Sequence, residues 1–250
     1  MVIYEGKSYE EISERAAQII ASELLVKPNA VLGLATGSSP VGMYENLVRW
    51  NREGTVDFSG VTTVNLDEYK GLGPEDDQGY RYFMNTHLFD HVNIKKENTY
   101  VPDGLELDSD KACAAYESLL ERVGKRDIQV LGLGGNGHIG FNEPDTKFCK
   151  GTHCVRLAES TIAANARFFD KPEDVPTEAY SMGVKGILEA RKILMVVSGE
   201  QKAKALCDIA YGPITPEVPG SILQLHEQVI VLADPEAMAV IKGAGYVGSK

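Results

Sequence analysis

The stretch GGNGHIGFNEP, residues 134–144, gathers more reactive chemistry than any comparable length of this 250-residue chain. It holds Asn136, His138 and Glu143 in a glycine-rich setting that lets backbone approach a ligand closely. An imidazole with a pKa near about 6.5 can both take and give a proton at neutral pH. A carboxylate and an amide beside it can orient the ring and tune its charge. A lone histidine on a glycine loop also has a purely structural reading, and the residues by themselves leave both open. Asp67, next to Glu68, is the second feature. Adjacent like charges and partial burial raise a carboxyl pKa and make a stronger base. Asp is equally at home as a cap or turn residue.

Two further segments point to an anion. Thr36, Gly37, Ser38 and Ser39 form a small-residue turn ahead of a helical stretch, where outward amide N–H groups, hydroxyls and the helix dipole favour a phosphate. Ser39 as N-cap with Pro40 at the first helical position is the structural alternative, compatible with the first. The spacing is not that of a P-loop. Ser198-Gly-Glu-Gln201 is also a capping pattern, and it puts Lys202 in the first turn, where a cation opposes the dipole unless an anion is bound. A solvated lysine fits too. Arg167, late in STIAANARFF, is similarly ambiguous. His87 and His91 are four apart without the intervening glutamate of a zinc-protease helix, so they read as packing or surface residues.

The elements that must position these groups alternate. Apolar residues recur at helical spacing from Ile12 behind the capping pattern Ser8-x-x-Glu11. A strand is expected at Val31–Ala35, a helix from Val41 to Trp50, a strand at Val61–Leu66 and a helix at Tyr80–Phe89. A helix at Ser109–Val123 and a strand at Ile128–Leu133 follow, then the strand KILMVV, a helix at Gln201–Tyr211 and a strand at Gln228–Ala233. Strands apolar on both faces, alternating with helices, predict an α/β fold: one open, mostly parallel, doubly wound sheet with helices on both sides. The expectation is a single domain over residues 1–250. Its pattern breaks only at 147–180, around KPEDVP, which suits either a mobile flap or a surface insertion. In such sheets ligands sit beyond the carboxyl ends of the strands, and the segments singled out above follow four of them.

Composition narrows the function. Lys and Arg total 25 against 36 Asp and Glu, a net charge of −11, which disfavours a general nucleic-acid or anionic-membrane surface. It leaves room for a small anionic ligand held by local donors. Four cysteines without a CxxC pair do not make a disulfide scaffold. The N-terminus lacks the signal-peptide pattern, and the expected location is the cytoplasm.

Taken together, ATGSSP at Ala35–Pro40, LDEY at Leu66–Tyr69, GNGHIGFNEP at Gly135–Pro144, NARFFD at Asn165–Asp170 and SGEQKA at Ser198–Ala203 resemble the glucosamine-6-phosphate deaminases. The resemblance runs across nearly the whole chain, and the GNGHIGFNEP string is its most specific part. It implies conversion of glucosamine 6-phosphate and water to fructose 6-phosphate and ammonia, an isomerising deamination in amino-sugar catabolism, with no metal or organic cofactor. His138 would open the sugar ring, oriented by Glu143 and Asn136. Asp67 would move a proton from C2 to C1. The phosphate would rest on Thr36–Ser39 with Arg167 and Lys202. Some family members carry Asp where this chain has Asn136, which puts more of any imidazolium stabilisation on Glu143. The allosterically activated members hold a second sugar phosphate with an Arg and a Lys, and the matching positions here are His153 and Val155. The resemblance therefore implies no activation by N-acetylglucosamine 6-phosphate, and leaves assembly open between monomer and small homo-oligomer. A 6-phosphogluconolactonase is the nearest rival but would show GHTASLFP-like residues after the loop. A sugar-phosphate-sensing domain would need a basic helix-turn-helix, which the acidic first helix does not offer.

Overall fold

The fold was described from a computed structural model, which describes residues 1–159, 162–163, 171 and 175–245. Strands β1 (Val2–Glu5), β2 (Val31–Leu34), β3 (Thr62–Asn65), β5 (Thr99–Tyr100), β6 (Ile128–Leu131), β9 (Lys192–Val197) and β10 (Val229–Ala233) form one sheet in the order β1-β10-β9-β6-β2-β3-β5. Every neighbouring pair in it is parallel. Its inner strands are buried almost end to end, and their aliphatic side chains make up the main core together with α1 (Tyr9–Val26), α2 (Val41–Arg52) and α4 (Ser109–Val123). A parallel sheet covered on both faces requires such continuous apolar runs.

The first helix starts where the capping pattern puts it. Ser8 is the N-cap and its hydroxyl accepts from the Glu11 amide, while Glu11 reaches back to the Lys7 amide at 2.8 Å. The helix expected over Tyr80–Phe89 is α3 (Tyr80–Met84) followed by a π turn, Asn85–Phe89. In that stretch His87 packs on the Phe83 ring and His91 is bonded to the Thr86 carbonyl, the packing roles expected of them.

The chain runs one way from β2 through β3 to β5, and the other way from β6 through β9 to β10. The order therefore reverses between β2 and β6, the place where open α/β sheets bind ligands. The loop 36–40 follows β2 and the loop 134–144 follows β6.

The sequence reading did not anticipate a second sheet. Strand β4 (Asp67–Tyr69) pairs antiparallel with β8 (Glu178–Ser181), which pairs antiparallel with β7 (His153–Arg156). The chain passes between the sheets at Leu66, whose amide donates to Leu34 and whose carbonyl accepts from Met182. All of β7 and all but the last residue of β8 fall in the 147–180 segment whose pattern was broken. Half of KPEDVP, residues 172–174, lies outside the described residues.

Candidate active site

Asp67 opens β4 directly after this crossing, and Ser181 is its partner across the small sheet. It is buried, with only 5% exposure. Burial first, and the neighbouring Glu68 charge second, push its carboxyl up to about 8. A carboxyl in that range binds a proton firmly and can still release it near neutrality, as a shuttling base must.

The loop after β6 is folded onto this carboxylate. Ser181 Oγ accepts from the Phe141 amide at 3.0 Å, and the Asn142 amide side chain donates to the carbonyls of Ile139 and Met182. Gly140, at φ +57°, sits so near Asp67 that a β-carbon there would come within 3.3 Å of Oδ2. At the other end of the loop the His138 ring lies over Gly134, where any β-carbon would collide with it. These two glycines give the loop its shape.

Inside that loop the three polar groups meet. Asn136 Nδ2 donates to Glu143 Oε2 at 2.8 Å, and the His138 amide donates to Asn136 Oδ1 at 3.2 Å. Glu143 Oε2 also stands 3.3 Å from His138 Nδ1, an ion-pair distance without hydrogen-bond alignment. Glu143 is thus shared between the amide and the imidazole, and Asn136 ties the carboxylate to the histidine backbone. The His138 side chain keeps 20% exposure, so one edge is open to a ligand.

The loop after β2 lies alongside, with Ser39 against Gly132. Gly37 and Ser38 are exposed, and Thr36 and Ser39 half-buried. Here the structure corrects one expectation. Pro40, not Ser39, occupies the N-cap position of α2, and its own side chain makes no capping bond. Tyr9 takes over: its hydroxyl accepts from the Gly42 amide at 2.9 Å and donates to the Ser38 and Ser39 carbonyls. Because a side chain from α1 satisfies the helix start, the Ser39 hydroxyl is not committed to capping.

The loop after β9 completes the group. Gln201 approaches Gly135 through its carbonyl, and half-buried Lys202 ends the 3₁₀ turn Glu200–Lys202 ahead of the helix Ala203–Tyr211. Ser198 is not a helix cap, contrary to its pattern. It donates to Asp234 Oδ2 at 2.6 Å, and the Gly199 amide donates to both oxygens of the same carboxylate. Asp234 closes its own turn through the Ala237 amide, so one buried carboxylate at the end of β10 fixes the turn that carries Lys202. Arg167 lies outside the described residues.

Asp67, Asn136, His138 and Glu143 therefore share one neighbourhood at the reversal of strand order, with Thr36–Ser39 and Lys202 on the flanking loops. The sequence reading missed Tyr9, Ser181 and Asp234. Asp234 follows a buried strand as Asp67 does, and that signal could have found it; Tyr9 and Ser181 carry none. Among the described residues no group of three or more His, Cys, Asp or Glu side chains is placed to hold a metal ion.

Residues 5–232 match the family model for glucosamine-6-phosphate isomerases and 6-phosphogluconolactonase. The chain belongs to this family. It is 55% identical over 240 residues to a glucosamine-6-phosphate deaminase of Clostridioides difficile (strain 630), covering 96% of each chain. Among solved structures, a monomeric glucosamine-6-phosphate deaminase superposes with a TM-score of 0.94 at 44% identity, over 96% of this chain and all of that one. A 6-phosphogluconolactonase from Leishmania guyanensis shares the fold at a TM-score of 0.75, with 18% identity over 94% of this chain and 97% of that one. Within the family the chain thus stands much nearer the deaminases than the lactonases.

His153 and Val155 line a neighbouring cavity of 310 Å³ that also touches Asn142, Glu143, Lys147 and Arg156. Burial pushes the His153 imidazole below its usual range.

Proposed function

We propose that this chain converts glucosamine 6-phosphate and water into fructose 6-phosphate and ammonia. The observation that carries the reading is the buried Asp67 carboxylate packed against the loop that presents His138, at the sheet's reversal point. Relatives named for this reaction, at 44% and 55% identity, support it.

In the proposed sequence, His138 takes the proton from the anomeric hydroxyl and delivers it to the ring oxygen, opening the hemiacetal. Glu143 stabilises the charge that passes through the imidazole, and Asn136 keeps the carboxylate in place. In the open chain C1 is a carbonyl, so the C2 proton is acidic. Asp67 removes it, leaving an enolamine, and returns it to C1. The imine now at C2 takes up water and releases ammonia, and the ketose remains. General acid–base groups of this kind contribute about 10²–10⁴-fold each. The phosphate would be held by the amides and hydroxyls of Thr36, Gly37, Ser38 and Ser39 with Lys202 and Arg167. Anchoring one end of a flexible open-chain sugar converts binding energy into orientation.

No helix of the described residues is long and apolar enough to cross a membrane. A cytoplasmic enzyme working as a monomer or small homo-oligomer fits this reading and the monomeric neighbour. The deciding experiment incubates pure protein with glucosamine 6-phosphate and follows ammonium and fructose 6-phosphate. Equal amounts of both are expected. Release of neither, alongside hydrolysis of 6-phosphogluconolactone, would assign the chain to the other branch of its family.

A further inference from the structure

Glu68 is as buried as Asp67, at 2% exposure, yet no step above uses it. Its carboxylate is surrounded by donors. Oε1 accepts from the amides of Tyr69 and Tyr80, both at 2.8 Å, and Oε2 accepts from the Arg81 amide at 2.8 Å. Two of these are the first amides of α3, whose own N-cap, Gly79, has no side chain to offer. A helix start left open in sequence is therefore closed by an anion from a strand eleven residues earlier, the placement the helix dipole favours.

That closure shapes the surroundings of the base. It brings Tyr80 onto Tyr69, with ring centroids 4.7 Å apart, and stacks Tyr80 on Phe141 of the His138 loop at 5.8 Å. Gly104 closes the back, where any β-carbon would collide with the carbonyls of Leu72 and Tyr69 and press on the Glu68 side chain. Consecutive strand residues project from opposite faces, so the two carboxylates do not compete for one pocket. The Glu68 charge acts on Asp67 across the strand.

We propose that Glu68 is a positioning residue for Asp67: by holding the start of α3 it fixes the aromatic wall of the site, and it keeps a negative charge at a set place beside the base. This rests on the reading of Asp67 as the base. The ionisable groups around Glu68 are Asp67 and Tyr69 on its own strand, Tyr180 opposite it on β8, and Tyr80 and Arg81 on α3; Tyr116 of α4 acts on Asp67 and on Arg81. Arg81 is turned to Thr99, bonding its hydroxyl and carbonyl, and so leaves the three amides as the direct partners of the carboxylate. Burial raises the Glu68 carboxyl to about 7, against the pull of those amides and of Arg81. The charge is thereby set by the same contacts that close the helix.

The test uses wild-type protein carrying ¹³C at its Asp and Glu carboxyl carbons, with Glu68→Gln and Glu68→Asp beside it. In the wild type the Asp67 carbon should titrate with a second inflection matching the Glu68 carbon. In Glu68→Gln its midpoint and the acid limb of kcat/KM should both move to lower pH by about 0.5 or more. Glu68→Asp, which keeps the charge, should restore the limb. Independent single titrations of the two carbons in the wild type would overturn the proposal, even were Glu68→Gln unable to fold. So would a Glu68→Gln protein that loses turnover while its acid limb stays put, since that is what a merely structural cap would do. Failure of the wild type to release ammonium would instead strike the reading of the reaction, and the titration would still judge Glu68.

Discussion

The α-carbon of Gly140 lies against Oδ2 of Asp67, close enough that one added methyl group would stand 3.3 Å from that oxygen and 3.2 Å from Ser181 Oγ. The loop carrying the imidazole and the strand carrying the carboxylate are thus registered to each other by a missing side chain. Gly140→Ala must either displace the carboxylate or move the loop, and its φ of +57° adds strain of about 1–2 kcal/mol for any residue with a β-carbon. At these distances the neighbours need to give by only a few tenths of an ångström, a fraction of the roughly 1 Å misplacement that costs about 10²-fold in a positioned reaction. The expected outcome is a several-fold fall in kcat with a modest fall in melting temperature, checked by ammonium release and calorimetry. Unchanged kcat would show that the contact does not set the base.

Asp67→Asn separates chemistry from stability. Exchange of the C2 proton with solvent, read by NMR in D₂O, should stop, while the sugar phosphate still binds. The same change should stabilise the fold. Between the ordinary carboxyl value of 3.8 and the folded value of about 8, the folded protein holds this proton more tightly than the unfolded chain. Stability is therefore withdrawn as pH rises through that window, and the full penalty stands above about 8. Asn carries no such penalty. Calorimetry at pH 8 should show the variant more stable by roughly 0.5–2 kcal/mol, with the difference shrinking towards pH 4. In the wild type, kcat/KM should climb with pH towards about 8, since the base must be ionised to accept the proton.

His138→Gln tests ring opening alone. Turnover of the cyclic substrate should drop by about 10²–10⁴-fold, and an open-chain analogue should be handled far closer to the wild-type rate. Glu143→Gln should give the same pattern more mildly, because its carboxylate stands 3.3 Å from Nδ1 without touching the substrate in the proposed mechanism. Equal losses on both substrates would remove His138 from the opening step.

N-Acetylglucosamine 6-phosphate should not activate. Val155 offers the cavity beside the site no charge, and burial holds His153 towards its neutral form. Rate against substrate concentration should be hyperbolic with or without the compound. A sigmoidal curve that the compound straightens would show that Lys147 and Arg156, on the same cavity, suffice for an activator.

The main sheet could be read from the chain because its strands answer to one strong requirement. KILMVV, apolar and buried on both faces after its first residue, has no polar position from Ile193 on to blur it, and β9 occupies Lys192–Val197 as expected. The helix over Ser109–Val123 likewise matches residue for residue. The small sheet was hidden for the opposite reason. His153–Arg156 is only half covered, Asp67–Tyr69 has three residues, and neither shows an apolar pattern a periodicity could catch. Asp67, Asn136, His138 and Glu143 stood out because reactive side chains followed strands. Tyr9 did not, since its partners lie about thirty positions away and nothing local marks such a bond; Asp234 does follow a strand, and only its distant partners, Ser198 and Gly199, were hidden.

The Tyr9 hydroxyl also bears on how this fold tolerates drift. With a residue of the first helix securing the entry to the second, the small residues at 36–39 are relieved of ending or starting anything. In the proposed reaction their amides and hydroxyls are left to the sugar phosphate. A lineage that lost the tyrosine would have to recruit one of those hydroxyls back into scaffolding, and its grip on the substrate would weaken with no substitution among the residues that touch it.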